Sequence, residues 1–357
     1  MAFNSFRYLT SLSYPAARAC LFRLDAELAH NLALDALAKI QDTALVQFSP
    51  STFAPGTPVQ VMGLTFPNRL GLAAGLDKAA TCVDGLGGLG FGHVEVGTLT
   101  PRPQPGNPKP RLFRLKGSEA IINRMGFNNP GIESAVTRLA KRDYPGVLGV
   151  NVGKNFDTLN KDAASDYLKG LRKAYPVADY VAINLSSPNT KDLRELQFVS
   201  QCEPLLATLQ RERDALHSAT GRYVPLAVKI APDLQSEDLG DMAEMFNRLS
   251  VDGVIATNTT ISRAEVQNDP LHKEAGGLSG RPLYVRSTEV ISSLRAQLET
   301  NIPIIGVGGI YCGDDAIAKL QAGAELVQVY TGFIYRGPEL IDDVLKAIDH
   351  SPSISAV

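Results

Sequence analysis

Eight short apolar runs, separated by stretches with helical spacing, constrain this chain more than any other feature. They occupy residues 70–74, 93–97, 147–152, 180–185, 225–230, 253–257, 303–308 and 326–330. Each is rich in Val, Ile, Leu or Ala, and the apolar character is nearly continuous instead of alternating. That pattern belongs to parallel strands covered on both faces, whereas a strand with one wet face alternates. The repeated strand–helix rhythm therefore gives an α/β class with a parallel sheet. A span of roughly 280 residues from about residue 68 onward suits one closed (β/α)8 barrel, with a doubly wound open sheet as the alternative. With 44% hydrophobic residues among 357, such a chain can bury a substantial core.

Two segments break the rhythm. TPRPQPGNPKPRLFRL follows the second run, is dense in Pro and then turns strand-like before AIINRMGFNNPG, so it reads as a long excursion over the strand ends. Residues 261–283, containing GGLSGRPL, read as a flexible loop after the sixth run. Long loops in compact domains are commonly lids or binding loops.

Composition excludes several functions. A net charge of -2 leaves no global basic excess for a phosphate backbone, so nucleic acid is not an expected partner. Cys20, Cys82, Cys202 and Cys312 are scattered without a CxxC pair or a Cys/His cluster, which predicts neither a disulfide framework nor a metal site, and fits a reducing compartment. The N-terminal stretch lacks an apolar run long enough for a secretory signal or a membrane span. Yet Leu21, Phe22, Leu24, Leu28, Leu32 and Leu37 place apolar surface along one side of a helix, with Asp25, Glu27 and Asp35 off it. That face either packs on the main domain or meets a membrane.

In a (β/α)8 barrel, reactive groups project from the C-terminal ends of the strands. The polar residues of this chain gather there. The first run ends in AAGLDK with Lys78, the second in Thr98, the third in Asn151, and the fourth in NLSSPNT with Asn184, Ser187 and Asn189. The fifth carries Lys229 in LAVKIAP, and the sixth, seventh and eighth end in TNTT, GVGGI and YTG. NLSSPNT alone is equally good turn chemistry. Lys229 could snorkel to the surface, but its position after Leu226, Ala227 and Val228 in a buried run favours an anionic partner. GVGG could be a plain tight turn. After the seventh strand of a barrel, however, such glycines let backbone N–H groups approach a phosphate. A ligand with one phosphate held by Gly308, Gly309, Tyr330 and Thr331 is implied, with Asn151, Lys229 and Thr257 facing the rest of it.

Taken together, GLAAGLDK, VGTLTPRPQPGNPKPRLFRL, INRMGFNN, NLSSPNT, AVKIAPDL, IATNTT, GGLSGRPL and IGVGGI occur in an order that closely resembles the quinone-linked dihydroorotate dehydrogenases over nearly the whole chain. The resemblance implies an FMN-binding TIM barrel at 46–357, preceded by a helical extension at 1–45. It implies that Ser187 is the base taking a proton from C5 of dihydroorotate while C6 gives hydride to the flavin. Asn123, Asn184, Asn189 and Asn258 would hold the substrate ring, an apt use of amides against a ring of NH and C=O groups. Lys78, Arg124, Met125, Gly126, Phe127 and Thr259 complete the implied substrate set. Ala74, Gly75, Lys78, Thr98, Asn151, Asn184, Lys229, Thr257, Gly280, Gly308, Gly309, Tyr330 and Thr331 form the implied flavin site, where Lys229 would stabilise negative charge on the reduced ring.

A serine base needs activation, because its hydroxyl is a poor proton acceptor at neutral pH. No His, Asp or Glu lies within NLSSPNT, and none of His30, His93, His217, His272 or His350 falls at a strand's C-terminal end, which disfavours a Ser-His-Asp hydrolase. The resemblance supplies Thr190 and Phe127 as the relay, and His30 with Arg114 along a quinone tunnel. The soluble branches use Cys at the base position and lack the extension. Ser187 and the helical extension thus point to the quinone branch: a monomer at the cytoplasmic face of the inner membrane, bound peripherally to lipid. Two other readings stay open. One is a related FMN-dependent pyrimidine oxidoreductase with a soluble acceptor; the other is a non-catalytic flavin-binding barrel.

Overall fold

The computed structural model describes residues 4–351 except Ala54 and Lys191, and only the backbone of Pro50. Residues 1–3 of the expected extension and 352–357 of the expected barrel domain lie outside the described residues. All eight apolar runs form strands: β1 Leu70–Leu72, β2 His93–Leu99, β3 Val147–Val152, β4 Tyr180–Asn184, β5 Leu226–Ile230, β6 Gly253–Ala256, β7 Ile304–Val307 and β8 Leu326–Val329. They pair in parallel in chain order, and β8 returns to β1 to close the ring, so the open-sheet alternative is excluded. Most runs overshoot their strands by a residue or two. Of the extra residues, Ala73, Ala74, Thr257, Gly308 and Tyr330 leave the ladder at the C-terminal ends and line the cavity there.

The strand period of two sorts the side chains. Val94, Val96, Leu148, Val150, Val181, Ile183, Val228, Val254, Ile304 and Val327 face outward into the core shared with the helices. Ala73, Val147, Tyr180, Ala182, Ala227, Ile255, Ile305 and Leu326 fill the barrel interior. On the same inward register come polar residues, Glu95 on β2, Asn151 on β3, Asn184 on β4, Lys229 on β5 and Gln328 on β8, all buried. Gly149 makes room for one of these contacts, since a Cβ there would sit 2.2 Å from the Tyr180 ring that reaches across to Glu95.

Two features were not foreseen from the sequence. The antiparallel hairpin Val59–Val61 with Leu64–Phe66 plugs the barrel floor, contributing Val61 and Phe66 to the interior cluster. Its two-residue turn has positive φ at Met62 and Gly63, as a type I′ hairpin requires. The second is a correction to residues 261–283, expected as a loop. Gly277–Gly280 is a strand pairing with Ala120–Asn123, which pairs in turn with Leu112–Leu115. The excursion and the long loop thus share one small sheet, because each alone leaves backbone donors unpaired and together they satisfy them.

The extension is also two helices and not one. Helix α1 spans Ser5–Leu21 and α2 spans Ala26–Gln41. The chain breaks at Asp25, whose carboxylate accepts from the N–H groups of Glu27 and Leu28 as an N-cap. Leu24, Leu28 and Leu32 do not pack on the barrel; they are 39%, 49% and 46% exposed, as are Leu9 and Leu12 of α1 at 54% and 63%. The contact with the barrel runs instead along another face. Buried Glu27 accepts from Arg111 at 2.8 Å and lies 3.3 Å from Lys109, while Leu37 packs onto Gly85. Among the described residues, no helix is long and apolar enough to cross a membrane.

Candidate active site at the strand ends

One cavity opens over the C-terminal rim of the barrel. It is lined by Ala74, Gly75, Lys78, Thr98, Asn123, Met125, Gly126, Phe127, Asn184, Ser187, Asn189, Lys229, Thr257, Asn258, Thr259, Gly280, Gly308, Gly309, Tyr330 and Thr331. These come from every strand end except the third, together with the small antiparallel sheet that roofs it.

The amides form two hydrogen-bonded groups along the rim. Asn189 Nδ2 donates to Asn123 Oδ1 at 3.1 Å, and Asn258 Nδ2 lies 3.0 Å from Ser186 Oγ and 3.3 Å from Asn184 Oδ1. Buried Ser187 accepts from the Asn189 N–H at 3.3 Å and, among the described residues, hydrogen-bonds no histidine or carboxylate. Thr190 is buried behind it, its hydroxyl unpartnered, and does not line the cavity. Phe127 lines it with a positive φ of 52°, an uncommon state for a bulky residue that is found where a site fixes the chain.

Below the rim lies a charged layer. Lys229 Nζ is 3.5 Å from Glu95 Oε1. Glu95 also accepts from Asn151 Nδ2 at 2.8 Å, the Tyr180 hydroxyl at 2.8 Å and Gln328 Nε2 at 3.0 Å. Burial pushes the Glu95 carboxyl up, but Lys229 and these hydrogen bonds outweigh it and hold the group below the ordinary glutamate range. Asn151 stands one layer beneath the cavity and acts upward through Thr98, which donates to its Oδ1 at 2.5 Å, and through Asn184 at 3.2 Å. Burial lowers Lys78 to about 8, against the pull of Glu27 and Asp77.

Three expected residues lie elsewhere. The Arg124 guanidinium turns out of the cavity, pairing with Glu274 at 2.7 Å and covering the Phe113 ring. Arg114 donates to the carbonyls of Leu21 and Leu24 and sits 4.7 Å over the Phe22 ring, so it ties down the break between α1 and α2. His30, on α2, is lowered to about 3 by burial and by the charge of Lys78.

Sequence reasoning missed Glu95, Gln328, Ser279 and Arg194. Ser279 accepts from the Thr331 hydroxyl at 2.8 Å, linking the roof to the rim. Arg194 donates to the carbonyls of Ser186 and Thr259 and pairs with Asp233 at 2.7 Å, locking the loops after β4 and β6 together. Glu95 and Gln328 had a signal: each is a polar residue at an inward position of a largely apolar run, HVEVG, where His93 is the other, and LVQVY.

The site fits a phosphorylated aromatic cofactor and a flat polar substrate. Gly308 and Gly309 carry φ of 121° and 76°, and a Cβ on Gly309 would lie 2.4 Å from Tyr284 Cα, so this loop keeps bare backbone beside the cavity. Asn189 Oδ1, Thr259 Oγ1 and Gln328 Oε1 are buried without partners, and all three residues line the cavity. Buried orphan acceptors of this kind await a ligand's donors.

A family profile described as Dihydroorotate dehydrogenase matches residues 57–351. The chain belongs to the dihydroorotate dehydrogenase family. It is 55% identical over 335 residues to the dihydroorotate dehydrogenase (quinone) of Burkholderia cenocepacia, covering 94% of this chain and 97% of that one. The corresponding protein of Burkholderia multivorans is 56% identical with the same coverage. Among solved structures, DHODH of Eimeria tenella in complex with ferulenol superposes with a TM-score of 0.83, 41% identity and 90% coverage of both chains. Membership makes this chain a flavin-dependent oxidoreductase of pyrimidine biosynthesis.

Proposed function

We propose that the protein oxidises dihydroorotate to orotate with FMN as its cofactor and a membrane quinone as final acceptor. The observation that carries this reading is the joining, in one cavity, of a glycine loop with bare backbone, four asparagines and a buried serine with no hydrogen bond to histidine or carboxylate among the described residues. FMN, when bound, supplies the ring that accepts hydride from substrate C6. The side chains do the rest. Asn123, Asn184, Asn189 and Asn258 orient the dihydropyrimidine ring, and Lys78 presents positive charge to the substrate carboxylate. Ser187 Oγ receives the C5 proton and passes it toward Thr190, with Phe127 closing that path to bulk water. Glu95 holds Lys229 and Asn151 in register below the cavity. Gly308, Gly309, Tyr330 and Thr331 would take the phosphate, while Ala74, Gly75, Thr98, Thr257 and Gly280 would border the ring and ribityl chain.

Residues 1–45 form the quinone-facing cap on a barrel of residues 46–357. The exposed leucines of α1 and α2 favour a cap that rests on lipid over one that serves as core. The protein then sits as a monomer at the cytoplasmic face of the inner membrane, with His30 and Arg114 along the quinone path. The test is an anaerobic titration. The bound flavin should bleach with dihydroorotate and recolour with a ubiquinone analogue, but not with fumarate or NAD. Recolouring by fumarate or NAD would select the soluble-acceptor reading.

A further inference from the structure

Lys319 is 0% exposed, an unusual position for a residue with a compact, strongly hydrated charge. Its ammonium donates to Tyr284 O at 2.9 Å, Thr288 Oγ1 at 2.6 Å and Ser287 Oγ, so three acceptors match its three N–H donors. The site is therefore built for the charged form. Yet no carboxylate pairs with it among the described residues. Asp315, one turn back on the helix Gly313–Gln321, spends Oδ2 on the N–H groups of Tyr311 and Cys312. Across from it, the helix Tyr284–Arg295 presents the Tyr284 ring 4.8 Å away, and on β7 a Cβ at Gly306 would come within 3.4 Å of Lys319 Cβ. A buried cation with no carboxylate in ion-pair contact is costly, and the charge of Asp315 only partly offsets its burial, so a further anion would stabilise it.

Ser287 shows where that anion belongs. Its hydroxyl accepts from Lys319 and lies 3.0 Å from Gly308 O. The Gly308–Gly309 peptide is trans and planar, so with its C=O turned to Ser287 its N–H points the opposite way, toward the cavity both glycines line. Gly308 needs to be glycine for this approach, because a Cβ would come within 2.9 Å of Ser287 Oγ.

We infer that Lys319, acting through Ser287 on the Gly308–Gly309 peptide, is a buried cationic backing to the phosphate cradle and selects a phosphorylated flavin over an unphosphorylated one. Lys319 is a positioning residue and does not touch the ligand. The inference rests on the proposed cofactor reading. Burial lowers the Lys319 ammonium to about 7, with Asp315 opposing. A phosphate dianion nearby favours the charged form, so a bound phosphate holds the proton, and retention should weaken as pH rises above about 7.

The experiment starts from protein purified with its flavin, which is first identified; absence of FMN there would sink the cofactor reading itself. FMN release on dilution is then followed by fluorescence from pH 6.5 to 9, and FMN is competed against riboflavin, for wild type, Lys319→Met and Ser287→Ala. Riboflavin shares the ring but lacks the phosphate, so the ratio cancels titration of Lys78. A unit charge several ångströms away, at an effective dielectric of about 20, corresponds to a loss of FMN preference of roughly 10- to 100-fold in Lys319→Met. Ser287→Ala should lose a smaller part of it, and the rise of wild-type FMN release with pH should flatten in Lys319→Met. An unchanged preference, or equal weakening of both flavins, overturns the inference. If Lys319→Met fails to fold, Ser287→Ala and the wild-type pH profile decide it alone.

Discussion

Replacing Lys229 by Met probes the charged layer beneath the cavity. Lys229 Nζ and Glu95 Oε1 are 3.5 Å apart, with side chains 6% and 0% exposed. Two unit charges at that distance attract by about 5 kcal/mol at an effective dielectric of 20, and removing one partner of such a buried pair costs about 3–5 kcal/mol. Lys229→Met leaves Glu95 with hydrogen bonds from Asn151, Tyr180 and Gln328 but no cation, so its carboxyl should rise toward protonation. Glu95→Gln strands Lys229 in the same way. The double variant strands neither, and should be less destabilised than the sum of the singles by about 2 kcal/mol. Denaturant unfolding at a fixed excess of FMN measures the cycle. Spectroelectrochemistry adds an independent readout: Lys229→Met should weaken flavin retention or lower the flavin potential, because reduction adds negative charge where the nearest cation has gone. Additive single variants, each costing under about 1 kcal/mol, together with unchanged flavin content and potential, would refute the reasoning.

The remaining predictions concern the rim and the cap. Lys78, lowered to about 8 by burial, loses its charge as pH rises through that value, so the KM for dihydroorotate should climb above about pH 8; a flat profile in Lys78→Met and in wild type alike would discount its role. Deleting residues 1–45 should leave a barrel that keeps flavin and is reduced by dihydroorotate, but loses fast quinone reduction and liposome binding together; full-rate quinone reduction by the truncated protein would end the tunnel reading of His30. His30 is held near 3 when folded against about 6.5 for a free histidine, so its contribution to stability is complete above about pH 6.5 and is lost as pH falls toward 3. Acid unfolding monitored in wild type and His30→Gln should differ over that window and coincide above it.

The barrel was legible because its eight strands are buried on both faces and so appear as continuous apolar runs. The rim was legible for a related reason: polar residues that end such runs, like Asn184 and Ser187, have no solvated face to explain them. What escaped was long-range pairing. Gly277–Gly280 reads as a loop, since its strand character exists only against Ala120–Asn123, more than a hundred residues away. Asp25 reads as a polar residue on an amphipathic helix, although its carboxylate starts a new one. Glu27 looks like the wet side of that helix because its partner Arg111 lies beyond the second strand. Glu95 and Gln328 were visible as anomalies inside apolar runs, but only the closed ring brings them together. Lys319 carried no signal at all, sitting in an ordinary helical pattern.

In the proposed mechanism everything depends on Ser187 Oγ taking the C5 proton in this cavity. Single-turnover reduction of the bound flavin by dihydroorotate, mixed anaerobically with wild type and Ser187→Ala at matched flavin content, tests it most directly. Ser187→Ala should retain FMN normally while its reduction slows by roughly 10²- to 10⁴-fold, and the wild-type rate should rise with pH as the base sheds its own proton. Reduction of Ser187→Ala at near the wild-type rate would contradict it.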